Sequence, residues 1–480
     1  MKHRYITALI AALIAASPAP PGLVMMASAQ QASSSSFSEE ESEDEGDGED
    51  EESVDADDNQ ASVRENAVID FGDISDDDID IPVPSFINQS RNHIMLNGAD
   101  WSALRKAFSN AATAPVSIVH IGDSHIQADI NTATTRELLQ YDFGNAGRGI
   151  ISPLKMSGTN QPSDYTFNSK DNWSHVRLMS RNWDRPMGFT GASVHPLLQR
   201  SSITVGTKST DDYNPFTSVT LFHGGKMTID SVVGEGGRKV NFRAIPSRDY
   251  TTILMASQET QVTVYFSSTG DLTLYGASLS GNKPGLFYHA IGNNGATYAT
   301  YNKIGNVGTG IAALSPNLVI VSLGTNEAFG SISPETFYNT IDRLVRNIRA
   351  ANPDAQVLLV TPMECQRSVS RTVSKKVATG GKKRRNGKRS RRRTKTVKST
   401  VRSYQRNTNI APLRNEILRY GRDNNIAVLD WYEVAGGAGA SDTWVANNLF
   451  AKDRVHHSYK GYHLQGRLLY DALIDALKNN

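Results

Sequence analysis

The chain has 480 residues, with 50 Lys and Arg against 49 Asp and Glu, for a formal net charge of +1. That length admits about three domains and a sizeable buried core, while the single cysteine, Cys365, excludes an intramolecular disulfide framework and any cysteine-based metal site. The near-neutral total hides two tracts of opposite sign, one acidic near the start and one basic late in the chain.

Residues Met1 to Ala29 open with Lys2, His3 and Arg4, run through apolar Ile6 to Ala16, and reach Ala27-Ser28-Ala29. A basic start, a short apolar middle and an A-x-A site predict a secretory signal peptide over 1–29, cleaved after Ala29. The apolar run is too short to span a bilayer comfortably, and the leader points to a bacterial periplasm or secretion. Residues 30–84 are serine-rich and then acidic, with Glu39-Glu40-Glu41 and Glu49-Asp50-Glu51-Glu52 among few apolar side chains. Such a segment cannot bury enough surface to offset its ordering entropy, so disorder is expected. Regular structure is expected from near Phe86, with an amphipathic segment around Trp101, Leu104 and Phe108.

Val116, Ile118, Val119 and Ile121 form a buried-strand run that Gly122-Asp123-Ser124-His125 breaks before a helix-compatible segment, Asp129 to Tyr141. A strand, a tight turn and a helix lift a serine hydroxyl clear of the sheet at a helix N-terminus, which makes Ser124 a candidate nucleophile. The loop Phe143 to Gly149 is glycine-rich but lacks the spacing and lysine of a phosphate loop, so it is expected to wall a cleft. Beyond it, 218–222, 239–242, 251–255, 261–266 and 272–275 are short, β-branched or alternating, and punctuated by Gly, Asp, Pro and Ser. This predicts an inserted all-β sandwich or jelly roll over 161–284. Trp173, Trp183 and Tyr213 are available either to stack on sugar rings or to close an interdomain seam.

Helix and strand patterns then alternate. Apolar Phe287 to Ile291 precedes the turn Gly292-Asn293-Asn294-Gly295, and Leu318 to Leu323 stops at Gly324-Thr325-Asn326-Glu327. Asn326 therefore sits at the carboxyl end of a strand, where open α/β sheets gather their ligands. Ser333 to Asn352 has helical spacing, Val357 to Val360 is a strand, and 367–403 is a basic run read as a mobile surface insertion. Its partners are open between the acidic N-terminal tract and anionic cell-envelope polymers; nucleic acid is not expected as its main partner, since aromatic residues are not interleaved. Helix Asn409 to Asn424, strand Ala427 to Asp430 and a leucine-striped final helix, Gly461 to Leu477, complete the pattern. Before that helix, Asp453-Arg454-Val455-His456 sets a carboxylate three residues ahead of an imidazole, close enough to fix the ring while its other nitrogen faces a serine. His457 is the rival base, disfavoured by its spacing from Asp453.

In block order these stretches resemble the SGNH (GDSL-type) hydrolases: Gly122-Asp123-Ser124 the nucleophile block, Gly295 the oxyanion glycine, Asn326 the oxyanion asparagine, and Asp453 with His456 the closing Asp-x-x-His. The departure is His125, where many members carry an apolar residue; Gly-Asp-Ser-His is similar to a subgroup of periplasmic esterases acting on acetylated polysaccharides, notably peptidoglycan O-acetylesterases. The resemblance implies an α/β fold, a three-layer α/β/α catalytic domain with a parallel sheet over 85–160 and 285–480, and an insert similar to a carbohydrate-binding module. It also implies catalysis by Ser124, Asp453 and His456, an oxyanion hole of Ser124, Gly295 and Asn326, and an acetylated polysaccharide as substrate, with no cofactor and no metal. Acetyl transfer to a sugar hydroxyl by the same triad, or glycan binding with a vestigial site, are the alternatives.

Overall fold

The computed structural model describes residues 82–207, 214–305, 307–379 and 393–478. The expected leader over 1–29, the acidic tract up to 81 and Tyr213 lie outside the described residues.

The strands of the central sheet are continuous apolar runs, as burial on both faces demands. They are Ile94–Met95 (β1), Pro115–Gly122 (β2), Gly285–Gly292 (β3), Leu318–Ser322 (β4), Gln356–Val360 (β5) and Ala427–Leu429 (β6). Their order is β1-β6-β5-β4-β2-β3, parallel throughout except for the edge strand β1. On one side the helices Ile130–Phe143 and Tyr459–Lys478 pack together; on the other, Pro334–Ala351 packs against Ile410–Asn424. Pro334–Ala351 begins as its sequence requires, with Pro334 in the first turn and Ser333 Oγ accepting the Thr336 N–H at 3.2 Å. It buries Phe337, Ile341, Leu344, Val345 and Ile348 at helical spacing. The result is a three-layer α/β/α body. Among the described residues no helix is long and apolar enough to cross a membrane.

Between β2 and β3 the chain builds two antiparallel sheets. One has five strands, including Arg200–Thr207, Met227–Gly234 and Gln261–Ser268; the other has seven, including Phe216–Gly224, Tyr250–Glu259 and Thr273–Ser280. They share a second core of Phe167, Val205, Val219, Val264, Phe266 and Leu274 among others, which makes the pair a sandwich. Gly149–Ile151, ahead of the sequence boundary at 161, already pairs with Thr273–Ser280. Trp173 packs edge-on to Phe266 inside the sandwich and Trp183 packs against the main core.

The glycine-rich loop is anchored by a buried arginine. Arg148 donates to Asp129 Oδ2 at 2.5 Å and to Asp164 Oδ2 at 2.6 Å, while Arg136 reaches the same two carboxylates at 3.1 and 3.3 Å. This cross-brace joins the helix after Ser124 to the start of the sandwich.

The described part of the basic stretch is a long antiparallel ribbon, Gln366–Thr379 paired with Arg393–Arg406. Its root is bonded to the loop that carries Asp453 and His456. Gln366 N–H donates to Arg454 O at 2.9 Å, Tyr404 Oη donates to Lys452 O at 3.2 Å, and the Arg454 guanidinium lies 4.2 Å over the Tyr404 ring.

Candidate active site

β2 ends at Gly122, and Asp123 caps the short helix Ser124–Gln127 by accepting the His125 N–H at 3.0 Å. Ser124 is buried at the start of that helix, where its N–H has no acceptor one turn back. Its Oγ lies 2.7 Å from His456 Nε2, and His456 Nδ1 lies 2.6 Å from Asp453 Oδ2. The other carboxylate oxygen, Asp453 Oδ1, accepts the Val455 and His456 backbone N–H groups at 2.9 and 3.0 Å. Partial burial pushes the Asp453 carboxyl up, but the His456 ring and these two N–H groups outweigh it and hold the group well below the usual carboxylate range. Segments 332 positions apart in sequence thus bring hydroxyl, imidazole and carboxylate into one line of hydrogen bonds.

The turn after β3 lies against the helix that starts at Ser124. A Cβ on Gly292 would sit 1.9 Å from the Gln127 backbone nitrogen, so only glycine permits this approach. Asn294 N–H donates to Gln127 Oε1 at 2.7 Å, and Gly295 follows with φ +77°. The Gly295 N–H donates to no acceptor among the described residues. From the end of β4, Asn326 Nδ2 donates to Ala296 O at 3.0 Å and, over a longer 3.3 Å, to Asp123 Oδ2. Both amide hydrogens of Asn326 therefore have protein acceptors, the second only weakly.

Burial pushes the Asp123 carboxyl up to about 6, against the pull of the His125 N–H. Its neighbour Glu327, also buried, is pushed up to about 7 by the same cause. His125 does not reach Ser124. Its ring lies 5.1 Å from that of His456 and its Nδ1 pairs with Tyr462 Oη at 2.9 Å. Burial, then the neighbouring imidazoles, keep His125 well below the usual histidine value. The rival base His457 faces elsewhere, with Nε2 3.1 Å from Met363 Sδ, and burial pushes it down to about 3.

Two site-building residues escaped the sequence reading. Gln127 holds Asn294 and donates to Asn160 O at 2.9 Å and is buried; its sequence signal was a polar side chain about one helical turn after the serine. Gln366 braces the loop of Asp453 from the ribbon root, and nothing in its local sequence announces that. Next to the end of the helix that starts at Ser124, a small cavity lies between Gln127, Asn293 and Asn294 on one side and Arg177, Leu178 and Gly191 of the sandwich region on the other.

Residues 265–464 match the GDSL-like Lipase/Acylhydrolase family. The match takes in Gly295, Asn326, Asp453 and His456 and begins after Ser124, which the sandwich separates from the other blocks. The solved structure of a peptidoglycan O-acetylesterase is 21% identical, covering 80% of this chain and 99% of that one with a TM-score of 0.61. The lipase/acylhydrolase from Enterococcus faecalis is 19% identical, with 40% of this chain and 77% of that one covered and a TM-score of 0.26. A GDSL-like lipase from Bacteroides thetaiotaomicron is 18% identical, with 39% and 76% covered and a TM-score of 0.26. No curated protein matches the chain. The fold is that of the SGNH hydrolases, an α/β/α body with antiparallel β layers between β2 and β3.

Proposed function

We propose that this chain, on its SGNH hydrolase fold, is a secreted or periplasmic serine esterase that removes O-acetyl groups from a cell-envelope polysaccharide, with peptidoglycan the first candidate. The observation that carries the reading is the unbroken line Ser124–His456–Asp453 at 2.7 and 2.6 Å. His456 takes the Ser124 proton as Oγ attacks the ester carbonyl, and Asp453 holds the ring's orientation and offsets its positive charge. The sugar alkoxide leaves with that proton, and water then hydrolyses the acetyl-enzyme by the same relay. The Ser124 and Gly295 N–H groups receive the oxyanion; Asn326 joins them by giving up its long contact to Asp123. The structural likeness to a peptidoglycan O-acetylesterase and the cavity bordered by Gln127 on the Ser124 helix, the Asn293-Asn294 turn and the sandwich region support a glycan ester over a lipid.

Acetate release from O-acetylated peptidoglycan, acetylated xylan and a chromogenic acetyl ester tests the proposal. Ser124→Ala abolishes all three, and Asn326→Ala lowers turnover on the order of a hundredfold. Full activity of Ser124→Ala removes the enzyme reading. Turnover of the chromogenic ester with neither polymer cleaved removes the substrate class alone.

A further inference from the structure

The basic ribbon has two different faces. Its strands, Gln366–Thr379 and Arg393–Arg406, are 14 residues each and pair in an unbroken antiparallel register. Cross-strand partners share a face, and successive residues alternate between faces. The register therefore gathers Val369, Val373, Val397 and Val401 on one face, with Arg371 opposite Val401 and Lys375 opposite Val397. The reverse face carries Ser370, Thr372, Ser374, Thr396 and Thr400 beside Lys376, Lys398 and Arg402. Val373, Val397 and Val401 are 41%, 44% and 51% exposed. Arg371, Lys375 and Lys395 are exposed beside them and make no ion pair among the described residues. From 366 to 406 the sequence holds no Asp or Glu.

Each feature narrows the partner. A nucleic acid or an anionic polysaccharide in water rewards the cations, but gives three exposed valines nothing to bury against, and stacking aromatics are missing from that face. A bilayer surface bearing anionic phospholipid offers phosphates to the cations and an acyl boundary to the valines between them. We infer that the ribbon is a docking element for anionic membrane surfaces, laid valine face down with Arg371, Lys375 and Lys395 on lipid phosphates. Its root bonds to the loop of Asp453 and His456, so the docked ribbon tethers the candidate active site to the bilayer.

The test is co-sedimentation of the whole protein with vesicles of phosphatidylcholine, with and without phosphatidylglycerol, and parallel binding to heparin and duplex DNA. The expected result is binding to the phosphatidylglycerol vesicles alone of the two, weakened about tenfold or more by Val373→Thr, Val397→Thr and Val401→Thr together, which leave every charge in place. Heparin retention of that variant stays unchanged, and its chromogenic ester turnover reports an intact fold. Triple-variant binding equal to the parent overturns the proposal, as does binding to heparin or DNA without binding to anionic vesicles. If the triple variant loses ester turnover, Arg371→Glu with Lys375→Glu reads the same face: lost vesicle binding supports docking, retained binding overturns it.

Discussion

Gln366 and Arg454 are bonded in both directions: the Gln366 N–H donates to Arg454 O at 2.9 Å, and Arg454 Nη1 donates to Gln366 Oε1 at 3.0 Å. Arg454 takes φ +58°, a left-handed conformation costly for its residue type, between Asp453 and Val455. The reciprocal pair fixes that bend, and Gln366 Nε2 is itself held by Asp442 Oδ1 at 2.6 Å. Gln366 is thus a positioning residue for Asp453. Gln366→Ala removes a hydrogen bond from a charged donor, and loosening worth about 1.5 kcal/mol at the transition state lowers kcat on the order of tenfold. KM for a small acetyl ester stays within about twofold, because the residue touches no substrate. A variant that melts earlier but keeps its kcat would assign Gln366 to stability alone.

Glu327 offers a pH test of the buried end of β4. Its Oε1 accepts the Tyr298 N–H at 2.8 Å, while the buried Oε2 has no hydrogen-bond partner among the described residues. Burial moves the carboxyl from 4.5 to about 7, so between those values the native state holds a proton that the unfolded chain has released. Stability therefore falls as pH rises through that window, by up to about 3 kcal/mol in all. Asp123, raised to about 6, adds a decline of the same sign that ends sooner. Glu327→Gln keeps the acceptor for Tyr298 and cannot ionise. Urea midpoints at pH 4.5, 6 and 7.5 should show a flatter profile, with the change above pH 6 nearly gone. An unaltered slope would show that Glu327 ionises freely in the native state.

Much of this site was legible because buried parallel strands advertise themselves as apolar runs, and β2 and β4 both stop at glycine turns carrying Ser124 and Asn326. The Asp-x-x-His spacing likewise prefigures the contact from His456 Nδ1 to Asp453 Oδ2. What stayed hidden depended on pairing across long separations. The strand at Gly149–Ile151 is only three residues long and is defined by its partner Thr273–Ser280. The ribbon hid for another reason: its valines recur every fourth residue among cations, which reads as a solvated charge run until register puts Val373 and Val397 on one face. The second amide contact of Asn326, to Asp123, also has no sequence signature.

Arg148 supplies a test of how the two layers are joined. Its side chain is 2% exposed and bridges Asp129, on the way into the helix after Ser124, to Asp164, just before the sandwich strand Tyr165–Asn168. Burial alone would lower the guanidinium's pKa, but Asp164 and Asp129 more than offset it, so the charge persists. Arg148→Met fits the volume yet strands Asp129, buried to 3% of its side-chain surface, with Arg136 as its remaining cation. Removing one member of a buried ionic cluster typically costs about 3–5 kcal/mol, and that loss should appear in the urea midpoint. Arg148→Lys recovers little of it, since an ammonium cannot span both carboxylates as the planar fork does. Adding Asp129→Asn to Arg148→Met removes the stranded charge, so the double variant should be no less stable than Arg148→Met alone. Strict additivity of the two losses would mean that Arg148 braces the loop by packing rather than by charge.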